Sequence, residues 1–120
     1  NVFCLTGDGG LWYHFTELET AVRSDIPTIT IVNNNNALNQ EYDIFMNAYD
    51  GKPSNRWTEM WYFNKVSFAE LANNMGAFGV RVTDPDDIKE AVKEAMKSKK
   101  PSIVEIDGDV NALAPTAWSK

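Results

Sequence analysis

The order of apolar runs and helical segments constrains the fold of this chain more than any other feature of its sequence. Short runs of apolar and β-branched side chains occupy residues 2–6, 28–32, 78–82 and 102–106, and helical patterns lie between them, the first over residues 11–24. Strands that alternate with helices form a parallel sheet, because each crossover returns the chain to the same end of the sheet. We therefore expect an α/β fold, a parallel sheet with flanking helices, in which the first run is a buried strand.

The charge balance and the cysteine count exclude several classes of partner. The 120 residues carry 11 Lys and Arg against 17 Asp and Glu, a net charge of -6, so we expect no nucleic-acid partner. No apolar run approaches the ~18 residues of a membrane span, so we expect no membrane partner. The single cysteine, Cys4, allows no internal disulfide and favours a cytoplasmic location. We expect Cys4 to pack inertly in the first strand.

Polar loops follow the first two expected strands, and in a parallel sheet ligands bind beyond these carboxyl ends. The first loop is Gly7-Asp8-Gly9-Gly10 at the start of a helix, and the second is the asparagine run 33–36. Glycines let a ligand approach closely, and a helix start attracts phosphate, which the Asp8 carboxylate alone would repel. A cation between carboxylate and phosphate removes this conflict, and Mg²⁺ accepts the oxygens that both loops offer.

Two other phosphate-binding motifs do not fit this sequence. Trp12 stands where a dinucleotide-binding fingerprint needs its third glycine, and no Gly-Lys-Ser or Gly-Lys-Thr loop occurs. Each polar loop taken alone is also compatible with a solvated turn. A flavodoxin-like phosphate binder and a binding module without catalysis therefore stay open as alternatives.

The two loops and the residues around them resemble thiamine-diphosphate-dependent enzymes of the acetolactate synthase and 2-oxo acid decarboxylase branch. The resemblance rests on the Gly-Asp-Gly of residues 7–9 and the Asn-Asn of residues 34–35, and it extends over residues 17–23, 32–41 and 68–105. It implies a Rossmann-like three-layer sandwich, the diphosphate-binding domain of that family. It also implies thiamine diphosphate and Mg²⁺ as cofactors.

The resemblance implies roles for the positions that match the family motif. Asp8 and Asn35 would bind Mg²⁺ through their side chains and Ala37 through its backbone carbonyl. Asn34 is the alternative to Asn35, because four consecutive asparagines leave the register open. The residues implied to bind the cofactor are Gly7, Asp8, Gly9, Gly10, Asn35, Ala37, Leu38 and Asn39.

Glu41 and the segment around it allow more than one interpretation. Glu41 falls where the decarboxylase branch sometimes places a carboxylate near the substrate, so we expect it to move protons at the reacting carbon. The alternative is a helix-start carboxylate that the helix dipole favours. Residues 41–63 are rich in aromatic side chains, which would line a substrate pocket, meet another subunit, or form a local core under a long loop.

The implied function is the Mg²⁺ and diphosphate half-site of a lyase or transferase. Such an enzyme cleaves or forms carbon–carbon bonds next to the carbonyl of small 2-oxo acids or diketones. In this family a second domain binds the aminopyrimidine and supplies the glutamate that activates it, usually from another subunit. We therefore expect residues 1–120 to be one domain, the C-terminal portion of a larger enzyme, with the start of its sheet missing. We expect it to be inactive alone and to need a pyrimidine-binding domain and a homo-oligomer.

Overall fold

The strands of the chain form one parallel sheet in a computed structural model, which describes residues 2–112. They are β1 (Val2–Gly7), β2 (Thr28–Asn34), β3 (Phe78–Val82) and β4 (Ser102–Asp107), in the spatial order β1-β2-β4-β3. All three neighbouring pairs are parallel, which confirms the prediction from the alternation of strands and helices. The carboxyl ends of the strands therefore lie at one end of the sheet, where the two polar loops begin.

Five α-helices lie among the described residues. They are α1 (Asp8–Trp12), α2 (Glu17–Arg23), α3 (Tyr42–Ala48), α4 (Phe68–Asn74) and α5 (Ile88–Ser98). None of these helices has the length and apolar character needed to cross a membrane. Ser67 caps the start of helix α4, because its hydroxyl accepts the backbone N–H of Glu70 at 3.3 Å. The same hydroxyl donates to Glu105 of β4 at 3.0 Å, which ties the start of α4 to the sheet.

The first helical pattern, expected as one helix, is divided into α1 and α2. The backbone N–H groups of His14 and Glu17 each bond a carbonyl three residues earlier at 2.9 Å, so the linking turn is tighter than an α-helix. This turn accompanies the packing of Trp12 and Phe15 on Phe68 of α4, with ring centroids 4.9 and 5.6 Å away.

One apolar core lies on each face of the sheet, over β2, β3 and β4. Side chains from α1, α2 and α4 pack on one face, and side chains from α5 pack on the other. The buried residues of the first core are Leu11, Leu18, Val32, Phe68, Ala72, Ala77 and Ile103. Those of the second core are Ile29, Val82, Ala91, Ala95 and Val104.

The first strand is exposed in the described chain, so the prediction of a buried first strand is wrong. Strand β1 lies at the edge of the sheet and pairs with β2 alone. Val2 is 66% exposed and Leu5 is 79% exposed. Cys4, expected to pack inertly, is a free and exposed thiol. An apolar sequence shows that a strand is suited to burial, whereas burial itself requires covering elements, and the described residues leave most of this strand uncovered.

Candidate functional site

Strand register places the two polar loops side by side. Strands β1 and β2 are parallel neighbours, and Gly7 pairs with Asn33 at their carboxyl ends. The chain after β1 enters α1 at once, whereas the chain after β2 turns at Asn36, whose φ of 56° lies in the left-handed region that asparagine tolerates. The backbone beyond this turn reaches Asp8, so the loops meet as the sequence predicts.

Asp8 is a buried carboxylate that accepts backbone N–H groups from both loops. The residue is 4% exposed, and its Oδ1 accepts the N–H of Gly9 at 2.9 Å while its Oδ2 accepts the N–H of Ala37 at 3.0 Å. Burial raises the pKa of Asp8 above its ordinary value, and the bonds from Gly9 and Ala37 oppose part of that rise. Among the described residues, no ion pair includes Asp8, so this carboxylate is buried without a cationic side chain.

Asn34 and Asn35, the two candidate metal ligands, form side-chain hydrogen bonds with different partners. Asn35 Oδ1 accepts the N–H of Ala37 at 3.0 Å, which is the same N–H that Asp8 accepts. Asn34 is 3% exposed, and its Nδ2 donates to Glu105 Oε1 at 2.7 Å. Asp8 and Asn35 therefore converge on Ala37, whereas the side chain of Asn34 is engaged elsewhere. Of the two asparagines, Asn35 is the better placed for a metal.

The possible metal ligands are one carboxylate and several neutral oxygens. Within residues 2–112, no group of three or more His, Cys, Asp or Glu side chains could bind a metal ion. The Asp8 carboxylate, the Asn35 amide oxygen and the Ala37 carbonyl are hard oxygen donors of the kind that Mg²⁺ takes. Phosphate and water oxygens would supply the remaining ligands of such an ion.

Gly9 and Gly10 allow helix α1 to pack closely on its neighbours. A Cβ at Gly9 would lie 2.6 Å from Leu38 Cδ2, and a Cβ at Gly10 would lie 2.7 Å from Thr6 Oγ1. Carbon atoms in contact are usually about 3.5–4.0 Å apart, so neither position accepts a side chain without movement. Gly7 differs, because the nearest atom to its Cβ would be 3.9 Å away.

One cleft of about 300 Å³ is lined by all the residues predicted to bind the cofactor or the metal, and by Glu41, which is predicted to transfer a proton. Its lining is Gly7, Asp8, Gly9, Gly10, Asn33, Asn35, Ala37, Leu38, Asn39, Gln40 and Glu41. Glu41 is half-buried in a 3₁₀ turn, Asn39–Glu41, that leads into α3. The proximity of these residues is an observation, and their roles stay predictions.

The aromatic segment packs against the second loop. The N–H of Leu38 donates to the carbonyl of Trp61 at 2.8 Å, and the N–H of Phe63 donates to the carbonyl of Asn36 at 2.8 Å. The clustered rings are Tyr42, Trp57, Trp61 and Tyr62. These contacts hold the segment on the loop with Trp61 3% exposed and Tyr62 41% exposed, so the role of the segment stays a prediction. They also occupy the Leu38 N–H, so Leu38 would need to contact a diphosphate through other atoms.

The sequence analysis did not identify two residues that contact the asparagine loop, Glu105 and Gly108. Glu105 on β4 is fully buried and accepts the Asn34 amide. The N–H of Gly108 donates to the Asn34 carbonyl at 2.8 Å, and a Cβ at Gly108 would lie 3.2 Å from Asn35 Cβ. The available signals were a single carboxylate within the apolar run 102–106 and a glycine shortly after it.

Comparison with known proteins assigns the chain to a family. Residues 1–106 match the family described as "Thiamine pyrophosphate enzyme, C-terminal TPP binding domain". The chain belongs to this family. This TPP-binding domain is 35% identical over 106 residues to the "Probable acetolactate synthase large subunit" of Methanocaldococcus jannaschii, covering 88% of this chain and 17% of that protein. It is 32% identical over 108 residues to the acetolactate synthase of Bacillus subtilis, covering 90% of this chain and 18% of that protein.

A solved structure has the same fold. The thiamine diphosphate-dependent 4-hydroxybenzoylformate decarboxylase of Rhodococcus jostii RHA1 superposes with a TM-score of 0.76 at 25% identity, over 91% of this chain and 20% of that chain. The predicted resemblance and fold class are thereby confirmed. Membership of the TPP family also excludes a flavodoxin-like binder unrelated to thiamine. The TPP-binding domain spans about a sixth of the length of these curated relatives.

Proposed function

We propose that this domain binds the diphosphate of thiamine diphosphate together with Mg²⁺, in an enzyme that acts on small 2-oxo acids or diketones. The reaction would cleave or form a carbon–carbon bond next to the carbonyl group, as a lyase or a transferase does. The observation that carries the proposal is the convergence of Asp8, Asn35 and Ala37 in one glycine-lined cleft. Relatives named acetolactate synthase and a structural neighbour named decarboxylase support the reaction class.

The residues of the cleft fit a divalent cation. A buried carboxylate without a counter-charge disfavours the folded state, and Asp8 is such a group among the described residues. A cation bound at Asp8 would supply the missing charge. Asn35 and Ala37 would add neutral oxygens, which leaves the negative charge of the diphosphate to balance the rest of the ion's charge.

The residues of the chain would bind and orient the cofactor. When bound, thiamine diphosphate supplies the electron sink for breaking or forming the carbon–carbon bond. Asp8, Asn35 and the Ala37 carbonyl would fix the metal, and the wall formed by Gly9, Gly10 and Asn39 would receive the diphosphate. The tight packing of α1 on Leu38 would set the width of the cleft.

Glu41 is the residue that we assign to proton transfer. It is half-buried, and it lines the same cleft as the proposed metal ligands. A carboxyl group at this position can take a proton from the reacting carbon or deliver one to it.

The aminopyrimidine part of the cofactor requires a second protein surface. We propose that a pyrimidine-binding domain in the remaining part of the same enzyme provides this surface and the activating glutamate. We further propose that the enzyme is a cytoplasmic homo-oligomer. The curated relatives are several times longer than this chain, which is consistent with further domains.

Calorimetric titration of the complete protein with thiamine diphosphate tests the proposal. Binding should require Mg²⁺, and Asp8→Ala should abolish it. Asp43→Ala, which removes an exposed carboxylate from α3, is the matched control and should bind normally. Unchanged affinity in Asp8→Ala would overturn the metal assignment. Binding by the wild type without turnover of any 2-oxo acid would instead favour a binding module without catalysis.

A further inference from the structure

A buried carboxylate lies beneath the asparagine loop, outside the cleft. Glu105 is 0% exposed, although it lies in the middle of the apolar strand β4. Its Oε1 accepts Asn34 Nδ2 at 2.7 Å. Its Oε2 accepts the Ser67 hydroxyl at 3.0 Å and the backbone N–H of Ala69 at 2.9 Å. Both oxygens are therefore bonded, one toward the loop after β2 and the other toward the start of α4.

Asn34 connects Glu105 to the loop that lines the cleft through two further hydrogen bonds. Its Oδ1 accepts the backbone N–H of Asn36 at 3.1 Å, and its Nδ2 also donates to the carbonyl of Val66 at 3.2 Å. Asn36 has left-handed backbone in this loop, and Ala37 follows it. A chain of hydrogen bonds therefore links Glu105 to the turn that presents the Ala37 N–H to Asp8.

We propose that Glu105 is a positioning residue, whose carboxylate fixes Asn34 and thereby fixes loop 35–37 in the conformation that binds the metal. The proposal rests on the proposed function, because the loop conformation matters through the Mg²⁺ site. A carboxylate suits this place because all its bonding groups are acceptors. A glutamine would turn its NH₂ group toward either Asn34 Nδ2 or the N–H of Ala69, leaving a buried donor without an acceptor.

Fold stability alone is a poor explanation for this residue. Burial of a charge is costly, and well-packed apolar residues often replace buried charges without loss of stability. The neighbours Ile103 and Val104 show that β4 accepts apolar side chains at buried positions. The particular property of Glu105 is that it joins α4 to the loop.

The first test compares Glu105→Gln with Val104→Ala in the complete protein. Val104 is 0% exposed and belongs to the core on the opposite face of the sheet, so it controls for general loss of stability. We expect Glu105→Gln to weaken Mg²⁺ binding, measured by calorimetry at saturating thiamine diphosphate, by about 10–100-fold, as outer residues of metal sites do. Val104→Ala should leave the Mg²⁺ affinity within about twofold even where it lowers the melting temperature, because its side chain belongs to the core on the opposite face of the sheet.

The second test needs no metal or cofactor. Hydrogen exchange of the metal-free protein should be faster by about tenfold in peptides covering residues 33–38 of Glu105→Gln, because the loop loses its anchor. Glu105→Asp keeps the charge, but its shorter side chain cannot reach both Asn34 and α4, so it should show the same change. It also provides a folded variant if the glutamine substitution does not fold. Val104→Ala should accelerate exchange in α5 peptides instead.

Two outcomes would overturn the positioning role of Glu105. One is a Mg²⁺ affinity in both Glu105 variants equal to that of Val104→Ala. The other is unchanged exchange of residues 33–38 in both variants. A wild-type protein that binds no Mg²⁺ with thiamine diphosphate would instead overturn the proposed function, while the exchange experiment would still decide whether Glu105 controls the loop.

Discussion

The substitution Gly9→Ala, which adds a single methyl group, should weaken cofactor binding and leave the fold intact. The Cβ of Gly9→Ala would lie 2.6 Å from Leu38 Cδ2 and 3.8 Å from Phe63 Cε2. Since carbon contacts are usually about 3.5–4.0 Å, the Leu38 side chain must move by about 1 Å. Leu38 is 38% exposed, so its side chain has solvent to move into and the fold should survive.

The expected loss lies mainly in binding. Overpacking costs roughly 1–3 kcal/mol in a closed core, and this site should fall at the low end because Leu38 is partly exposed. A shift of the Leu38 loop changes the width of the cleft at the diphosphate position. We expect the affinity of the complete protein for thiamine diphosphate with Mg²⁺ to fall by about 10–100-fold, equivalent to about 1.4–2.7 kcal/mol.

Two further variants define the cause of that loss. Gly7→Ala adds the same methyl group, with the nearest atom 3.9 Å away, and should lower affinity much less. Leu38→Ala removes the clashing Cδ2 atom, so the double variant with Gly9→Ala should regain most of the affinity. Calorimetric titration measures the affinity of the wild type, Gly9→Ala, Gly7→Ala and the double variant for thiamine diphosphate with Mg²⁺. Wild-type affinity in Gly9→Ala, or no recovery in the double variant, would refute the steric reasoning.

Three other predictions concern catalysis and pH. Glu41→Gln in the complete enzyme should keep cofactor affinity and lose kcat by roughly 10²–10⁴-fold; a kcat within a few-fold of wild type would leave Glu41 as a helix-start residue. Because burial raises the pKa of Asp8 above 3.8, the Asp8 carboxyl group binds a proton more tightly in the metal-free folded state than in the unfolded chain. The contribution of Asp8 to the stability of the metal-free protein should therefore fall as pH rises from 3.8 through the raised pKa, so the melting temperature of the wild type relative to Asp8→Asn should fall over that range; a constant difference would contradict the assignment. A polypeptide of residues 1–120 alone should release no carbon dioxide from 2-oxo acids with cofactor and Mg²⁺, and cofactor-dependent turnover by that pure chain would refute this.

The alternation of strands and helices predicted the parallel sheet, and the resemblance to thiamine-diphosphate-dependent enzymes implied the residues that line the cleft. Strands that alternate with helices form a parallel sheet, whose carboxyl ends share one edge, and the structure adds that β1 and β2 are direct neighbours. Once those ends are neighbours, the residues from Gly7 to Gly10 and from Asn35 to Glu41 line the same space. The family motif in the two loops, read from the resemblance, therefore implied which residues lie in the cleft, and their roles stay predictions.

Features that depend on distant contacts could not be predicted in this way. Glu105 follows its partner Asn34 by 71 residues, and nothing in the pattern of β4 identifies that partner. The bridge between Ala37 and Tyr62 likewise joins two irregular segments without periodicity. The exposure of β1 depends on which elements cover it, and the apolar pattern of a strand does not contain that information.

The location of the metal is the most direct test of the account. Crystals of the complete protein grown with thiamine diphosphate and Mn²⁺, an anomalous scatterer that also prefers oxygen ligands, would show the ion as a peak in the anomalous difference map. The account predicts one peak in the cleft, with Asp8, the Asn35 side chain and the Ala37 carbonyl among its ligands. A peak coordinated by Asn34 in place of Asn35, or an ion bound away from Asp8, would contradict it.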